Sequence, residues 1–321
     1  MSQALKPPAL RQGDAIRVLS LASPVQEEHL DAGCKELERL GYAPKVDRES
    51  VLARESYFAG AAAGRLAALK NGFADPDVRA IFCTRGGYGS NYLVDGLEGA
   101  LGGPKIFLGA SDITSLHVFL WQKLGWVTFY GPMVASNFDR GAGAAHGYDC
   151  PSLMSALTET KQGWKIDLRG ESMLPGGGEG TLVGGCLTLV EASLGTPWEL
   201  ETRGAILVLE DRGMKPYQVD RALMHLKQAG KFRDLKGIIL GDFPDCDPPP
   251  AGGETVRDVA RRILMPIGHK PCELATVWGA PIGHTSRAML TLPLGVRARL
   301  LAPGSASVSP QLEILEPACT A

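Results

Sequence analysis

Ser111 occupies a position from which a serine can act as a nucleophile. It follows the apolar run 106–108 and two small residues, and it precedes an amphipathic run that ends at Gly125. This pattern predicts a buried strand, a tight turn and a helix. A serine at such a turn has the N–H groups of the helix start behind its hydroxyl, as in a nucleophile elbow. The local sequence GASDI differs from G-x-S-x-G, and the alternative is that Ser111 or Asp112 caps the helix.

A serine nucleophile needs a base, and His284 is the preferred candidate. The serine hydroxyl is hardly ionised at neutral pH, so a neutral imidazole must accept its proton. His284 lies in the segment GAPIGHT, where glycine and proline fix the backbone and leave the ring little cover. His269 follows a glycine in a predicted loop and stays an alternative base. The other histidines lie in or beside predicted helices, which favours structural or solvated roles: His29, His117, His146 and His225.

Glu210 is the candidate for the acid that orients the base. It ends the apolar run 205–210, where a carboxylate is costly unless it is paired or lies at the exposed end of a strand. Ligand sites collect at the carboxyl ends of parallel strands, which favours a functional role. The alternative is a salt bridge from Glu210 or Asp211 to Arg212.

The loop RGGYG at 85–89 also follows a predicted buried strand. Its glycines, Gly86 and Gly87, allow backbone N–H groups to approach a substrate carbonyl. The loop lacks both the phosphate-binding ending G-K-[ST] and the dinucleotide pattern G-x-G-x-x-G. We therefore expect a role in catalysis or substrate binding and no cofactor.

The residue types that bind metals do not form a recognisable site in the sequence. Asp242, Asp245 and Asp247 lie among prolines without the spacing of a calcium loop, and we interpret them as turn residues. No two histidines have metal-ligand spacing, so a metal hydrolase is not expected. The seven cysteines are scattered without a C-x-x-C pair, which argues against a disulfide framework and a zinc knuckle.

Charge and hydropathy exclude several classes of partner. Lys and Arg number 33 against 35 Asp and Glu, and no basic stripe stands out, so nucleic acid is not an expected partner. No apolar run approaches the roughly 18 residues of a membrane span. The first residues have no apolar stretch of signal-peptide length, so the sequence predicts a cytoplasmic protein.

The predicted elements divide the 321 residues into two domains. Strands and helices alternate over 1–165, which indicates an α/β domain with a mostly parallel sheet and helices on both faces. The glycine-rich stretch 166–184 is predicted to be a linker. Residues 185–321 are predicted to form a smaller domain of mixed α/β type that carries the acid and the base.

Five segments together resemble the LD-carboxypeptidases, serine peptidases that remove the terminal D-alanine from muropeptide tetrapeptides. The segments follow in the order and spacing of that family: RGGYG (85–89), LGASDITSL (108–116), GGCLTLVEASLGTPW (184–198), LVLEDRGMKPYQVDRALMHL (207–226) and GAPIGHTSRAMLTLPLG (279–295). The resemblance covers essentially the whole chain. It implies an N-terminal α/β domain, a C-terminal swivelling domain and a triad assembled across their junction.

The resemblance also implies roles for individual residues. Ser111 matches the nucleophile, Glu210 the residue that orients the base, and His284 the general base. The backbone N–H of Asp112, with one from Gly86 or Gly87, would form the oxyanion hole. Members of this family are usually cytoplasmic homodimers that use no metal, and they act in peptidoglycan recycling.

Two alternatives to this function stay open. Trp198 is compatible with a microcin-C-type self-immunity peptidase, which cleaves an aminoacyl-nucleotide and stacks its base on an aromatic side chain. The modest length and the lack of an obvious extra aromatic loop favour the carboxypeptidase. The other alternative is a non-enzymatic small-molecule binding protein, which the missing export signal and the three reactive side chains disfavour. Arg85 is a candidate for binding the free carboxylate of the substrate, or it forms a structural surface pair.

Overall fold

The chain forms two compact units, each with its own β-sheet. The computed structural model describes residues 4–97, 99, 101–247, 253–265 and 274–321. The first unit comprises Met1–Thr160, Arg287–Gly295 and Pro317–Ala321. The second unit comprises Lys161–Ser286 and Val296–Glu316.

Strands and helices alternate along most of the described chain. The strands are β1 (Ala15–Leu19), β2 (Ala43–Lys45), β3 (Ala80–Cys83), β4 (Ile106–Gly109), β5 (Thr128–Tyr130), β6 (Lys165–Asp167), β7 (Glu171–Leu174), β8 (Gly176–Cys186), β9 (Ala205–Glu210), β10 (Gly237–Leu240), β11 (Thr276–Trp278), β12 (Leu292–Leu294), β13 (Arg297–Ala302) and β14 (Gln311–Ile314). The α-helices are α1 (Glu27–Arg39), α2 (Arg48–Val51), α3 (Ala62–Ala74), α4 (Thr114–Leu124), α5 (Cys150–Thr158), α6 (Leu187–Ala192), α7 (Pro216–Gln228) and α8 (Val256–Leu264). Short 3-10 helices cover Ser90–Leu97, Ser111–Ile113 and Phe138–Arg140.

The sheet of the first unit has the strand order β2-β1-β3-β4-β5-β12. Strands β2 to β5 pair in parallel with their neighbours, and β12 is antiparallel to β5. Every residue of β3 and β4 is buried, as expected for apolar strands in a parallel sheet. The direction in which strands are added reverses between β1 and β3. In open α/β sheets, ligands bind at the carboxyl ends of the strands beside such a reversal.

The sheet of the second unit has the strand order β6-β14-β13-β8-β9-β10-β11-β7. Its centre, from β8 to β11, is parallel, whereas the strands on either side pair antiparallel. All six residues of β9 are buried, and its last residue is Glu210. Two mixed sheets with accompanying helices confirm the predicted mixed α/β fold class. No helix in the described part of the chain is long and apolar enough to cross a lipid bilayer.

The predicted linker at 166–184 is wrong, because these residues form the end of β6, all of β7 and most of β8. The glycines of β8 lie against neighbouring backbone. A Cβ on Gly178 would collide with the carbonyl of Lys236, and a Cβ on Gly180 would lie 2.5 Å from the carbonyl oxygen of Gly204. Glycine is therefore required inside this strand by the close approach of adjacent chain.

The chain also returns to the first unit near its end, which the predicted boundaries at 185–321 do not include. Residues 287–295 and 317–321 belong to the first unit. Pro293 and Leu294 lie in the edge strand β12. Proline is tolerated there because an edge strand leaves one row of N–H groups unpaired.

Candidate active site

Ser111 lies directly after β4, on the strand-to-helix turn that the sequence predicts. Its φ of 61° is in the left-handed region, which a non-glycine residue enters only at a cost of about 1–3 kcal/mol. The N-cap residues of the Ser111–Ile113 helix and of α4 are Ala110 and Ile113, so neither Ser111 nor Asp112 occupies the N-cap position of these helices.

Gly86 lies against Ser111. A Cβ on Gly86 would lie 2.6 Å from Cβ of Ser111 and 2.8 Å from its Oγ, both closer than van der Waals contact allows. Gly87 has a φ of 111° and faces Ser23 instead, whose Oγ accepts a hydrogen bond from the Tyr88 N–H at 3.1 Å. The structure thus brings Gly86 to the serine, while Gly87 holds the loop against the segment that follows β1.

Asp112 is a buried carboxylate that fixes the turn to the 85–90 segment. Its Oδ2 accepts the Ser90 N–H at 2.7 Å, and its carbonyl oxygen accepts the Ser90 hydroxyl at 2.5 Å. Burial raises the pKa of the Asp112 carboxyl despite the hydrogen bonds from Ser90 and the charge of Arg65. The Asp112 side chain therefore binds other parts of the protein, and only the backbone N–H of Asp112 can contribute to the predicted oxyanion hole.

Tyr130 is a site residue that the sequence reasoning missed. The Ser111 N–H donates to its phenolic oxygen at 3.0 Å, and the tyrosine side chain is fully buried. Tyr130 ends β5, which is the parallel neighbour of β4. A polar residue at the end of the strand next to the serine strand was the available signal. The tyrosine fixes the backbone of Ser111 on the strained turn.

His117, in α4, is structural, as its position in a predicted helix indicated. Its Nε2 is 3.0 Å from the carbonyl oxygen of Gly109, and its Nδ1 is 2.9 Å from Oγ1 of Thr128. A carbonyl can only accept, so Nε2 carries the proton. Burial lowers the pKa of His117 to about 4, which keeps the ring neutral.

Glu210 and His284 meet in the second unit. Oε2 of Glu210 is 2.8 Å from Nδ1 of His284 and accepts the backbone N–H of the same histidine at 2.8 Å. The Glu210 side chain is fully buried, and the His284 side chain is 19% exposed. The ring is therefore better covered than the sequence predicted. The carboxylate holds Nδ1 protonated and leaves Nε2 as the basic nitrogen.

Two glycines make room for the Glu210 carboxylate. A Cβ on Gly241 would lie 2.5 Å from Cβ of Glu210, and a Cβ on Gly283 would lie 2.5 Å from its Cγ and Oε1. Gly283 also has a φ of 58°. Gly283 therefore leaves space for the Glu210 carboxylate and also allows the backbone to turn before His284. The sequence alone did not suggest the first of these roles.

The environment of His284 favours its charged form. Burial is the largest single influence and opposes the charge, but the charge and hydrogen bond of Glu210, with the charge of Asp211, exceed it. The pKa of His284 is consequently raised above its usual value. An imidazole with a raised pKa is a stronger base, but it accepts a proton only at a pH high enough for the ring to be neutral.

The predicted salt bridge to Arg212 is not the role of Glu210 or Asp211. The Arg212 guanidinium is instead 3.1 Å from Asp245. Asp211 accepts the N–H and hydroxyl of Thr188 at 2.9 and 2.7 Å.

The remaining acidic residues of this loop have local partners, as turn residues do. Asp242 accepts the Thr285 hydroxyl, and Asp247 accepts the Val256 N–H at 3.0 Å. Within the described residues, no cluster of three metal-ligating side chains occurs.

Three further predicted residues have less defined surroundings. Arg85 is exposed in the loop after β3, and within the described part of the chain its side chain makes one long hydrogen bond, of 3.4 Å, to the Pro24 carbonyl. Trp198 is half-buried in a turn after α6. His269, the alternative base, lies outside the described residues.

A mixed α/β chain with a serine on a strained strand-to-helix turn and a buried histidine–carboxylate pair has the construction of a hydrolase. Comparison with known proteins assigns the family. Residues 16–131 match the LD-carboxypeptidase N-terminal domain, and residues 179–300 match the LD-carboxypeptidase C-terminal domain. The chain belongs to the LD-carboxypeptidase family.

Individual relatives span nearly the whole chain. A probable murein peptide carboxypeptidase of Bacillus subtilis is 36% identical over 92% of this chain and 91% of its own length. The crystal structure of a muramoyltetrapeptide carboxypeptidase from Oxalobacter formigenes superimposes with a TM-score of 0.76 at 28% identity, covering 94% of this chain and 99% of that one. An MccF-like protein from Bacillus anthracis superimposes with a TM-score of 0.85 at 25% identity, covering 98% and 100%.

Proposed function

We propose that the chain is a serine LD-carboxypeptidase that releases the terminal D-alanine from L,D-linked muropeptide tetrapeptides in peptidoglycan recycling. The observation that carries this proposal is the buried Glu210 carboxylate, 2.8 Å from Nδ1 of His284. A buried carboxylate that fixes an imidazole in this way is the orienting half of a serine-hydrolase triad. The family assignment supports a murein peptide as the substrate class, and so do the relatives named as murein peptide and muramoyltetrapeptide carboxypeptidases.

In the proposed reaction, Ser111 is the nucleophile and His284 the general base. Nε2 of His284 accepts the hydroxyl proton as Oγ attacks the carbonyl carbon of the L-residue. The protonated ring then gives that proton to the departing amine, and the C–N bond breaks to release D-alanine. Water, deprotonated by the same nitrogen, hydrolyses the acyl-enzyme and restores Ser111. Glu210 orients the ring and stabilises its positive charge throughout.

The oxyanion hole is proposed to consist of the Asp112 N–H and an N–H of Gly86 or Gly87. Two observations support this assignment: Gly86 lies against Ser111, and the Asp112 side chain accepts a hydrogen bond from Ser90. One such donor is typically worth about 10²–10³-fold in kcat.

The direct test is release of D-alanine from a purified tetrapeptide, followed by mass spectrometry. We expect stoichiometric loss of D-alanine and no hydrolysis of an aminoacyl-nucleotide. Hydrolysis of the aminoacyl-nucleotide without release of D-alanine would establish the microcin-C-type alternative. The similarity to an MccF-like structure and the presence of Trp198 are the observations that favour this alternative. Failure of a fluorophosphonate probe to label Ser111, together with inactivity on both substrates, would favour the binding-protein alternative.

We further propose that the enzyme acts as a cytoplasmic homodimer without a metal or cofactor, on the basis of the family resemblance. Sedimentation equilibrium on the full chain tests the dimer, and full activity in the presence of EDTA tests the second statement. A monomer with full activity would contradict the proposed assembly.

Replacing Gly86 by alanine is expected to reduce kcat at least about 10²-fold, the loss expected when one oxyanion donor is displaced. The new Cβ would lie 2.6 Å from Cβ of Ser111, so either the serine or the loop must move. The matched control is Gly64→Ala in α3, where a Cβ meets nothing within 4 Å. Steady-state kinetics should give normal turnover for the control. Normal turnover for Gly86→Ala as well would contradict the role of this loop.

A further inference from the structure

A cleft of about 590 Å³ lies within the first unit, at the carboxyl edge of its sheet. Residues after β1 form one wall (Pro24, Val25 and Gln26), and Arg85 after β3 forms part of another. Ala135 and Ser136, from the segment after β5, complete the edge, because the Ala135 N–H bonds to the carbonyl of Thr84 at 2.8 Å. The cleft therefore lies at the point where the strand order reverses, between β1 and β3.

The cleft is lined by several basic side chains. Three arginines and two histidines contribute to its surface: Arg54, Arg85, Arg140, His29 and His146. Asp139 is 2.9 Å from Nδ1 of His29 and 3.3 Å from Nε of Arg140, and the largely exposed Glu28 is 3.9 Å from Nε2 of His29. Of the three arginines, only Arg140 has an ion-pair partner among the described residues.

Two of the arginines keep most of their donors for a ligand. Arg85 makes one long bond, to the Pro24 carbonyl at 3.4 Å, and among the described residues Arg54 has no ion-pair partner. Guanidinium groups bind carboxylates through paired N–H donors in a fixed fork.

The cleft is connected to the nucleophile through one peptide bond. Arg85 is followed by Gly86, whose Cα faces Ser111. The loop that contains Arg85 and Gly86 therefore borders both the cleft and the nucleophile.

We infer that this arginine cleft binds a free carboxylate of the peptide substrate and so selects peptides that carry one close to the scissile bond. The inference rests on the proposed carboxypeptidase function. The carboxylate has three possible sources in a tetrapeptide: the terminal D-alanine, a diaminopimelate at the third position, or the free carboxyl of the second residue. A lysine at the third position has no such group.

The test measures peptide binding to the Ser111→Ala protein by calorimetry, with and without Arg54→Gln, Arg85→Gln or Arg140→Gln. Loss of one charged hydrogen-bonding partner is expected to raise Kd about 10-fold or more. The control is Arg11→Gln, an exposed arginine of the same unit outside the cleft, which should leave Kd unchanged. Equal effects of the cleft variants and the control would overturn the inference.

Four peptides distinguish the sources of the carboxylate. They are the diaminopimelate tetrapeptide, its D-alaninamide form, its lysine form and its form with a carboxamide on the second residue. The effect of the arginine variants should disappear for the one peptide that lacks the recognised carboxylate. An effect that persists unchanged in all four peptides would contradict carboxylate recognition.

The two proposals fail in different ways. If wild-type protein releases no D-alanine from any of the four peptides, the proposed function is wrong. If it releases D-alanine but the arginine variants bind all peptides like the wild type, only the cleft assignment is wrong.

Discussion

Ser111→Ala is expected to lower kcat for D-alanine release by about 10⁴–10⁶-fold, the loss that follows removal of a serine nucleophile in other hydrolases. The Tyr130 hydrogen bond and the contact with Gly86 hold the backbone of this position without using the serine hydroxyl, so the variant should keep the turn. Substrate binding should be retained, since the cleft and the backbone donors do not need the hydroxyl. Single-turnover kinetics and calorimetry on the same preparation measure both quantities.

Ser111→Gly supplies the matched control for this prediction. Both variants lack the nucleophile, but only glycine adopts a φ of 61° without a steric cost. We expect Ser111→Gly to be as inactive as Ser111→Ala and more stable by about 1 kcal/mol, because the strain is relieved. Urea denaturation measures the difference. A fully active Ser111→Ala protein would place the chemistry on another residue.

The part of the site that follows from local sequence was predictable. An apolar run followed by small residues and a helical pattern identifies the turn at Ser111, and a carboxylate at the end of the buried run 205–210 identifies Glu210. Each signal depends on neighbours in the chain. Burial of an unpaired carboxylate is costly, so a partner for Glu210 was also expected, and the structure supplies His284.

What depends on contacts between distant segments was not predictable. The glycines of β8 look like a linker until the neighbouring carbonyl of Gly204 is in place, and Tyr130 looks like a core residue until β5 pairs with β4. That Arg54, Arg85 and Arg140 line one cleft likewise depends on the tertiary fold. In each case the sequence contains the residue, but its partner comes from another part of the fold.

Glu210→Gln is expected to lower kcat about 10⁴-fold, the loss seen when a triad carboxylate becomes an amide and the imidazole takes the wrong tautomer. The pH profile should change with it. In the wild type, the charge of Glu210 raises the pKa of His284 against the effect of burial. The base must be neutral to accept a proton, so kcat/KM should rise with pH through a midpoint above the usual histidine value of about 6.5. Without the charge, burial dominates and the pKa falls, so the rise should occur at lower pH.

Two variants make the pH measurement specific. Glu210→Asp keeps the negative charge. Its kcat/KM should therefore still rise with pH through a midpoint above the usual histidine pKa, even if kcat is reduced. Glu191→Gln removes the carboxylate from an exposed pair with His225, 3.0 Å apart on the same unit, and should change neither kcat nor the profile. If the midpoint for Glu210→Gln does not move downward, the group that titrates in catalysis is not His284. Such a result would exclude the proposed base even if kcat falls as expected, because a lower kcat alone does not identify which nitrogen accepts the proton of Ser111.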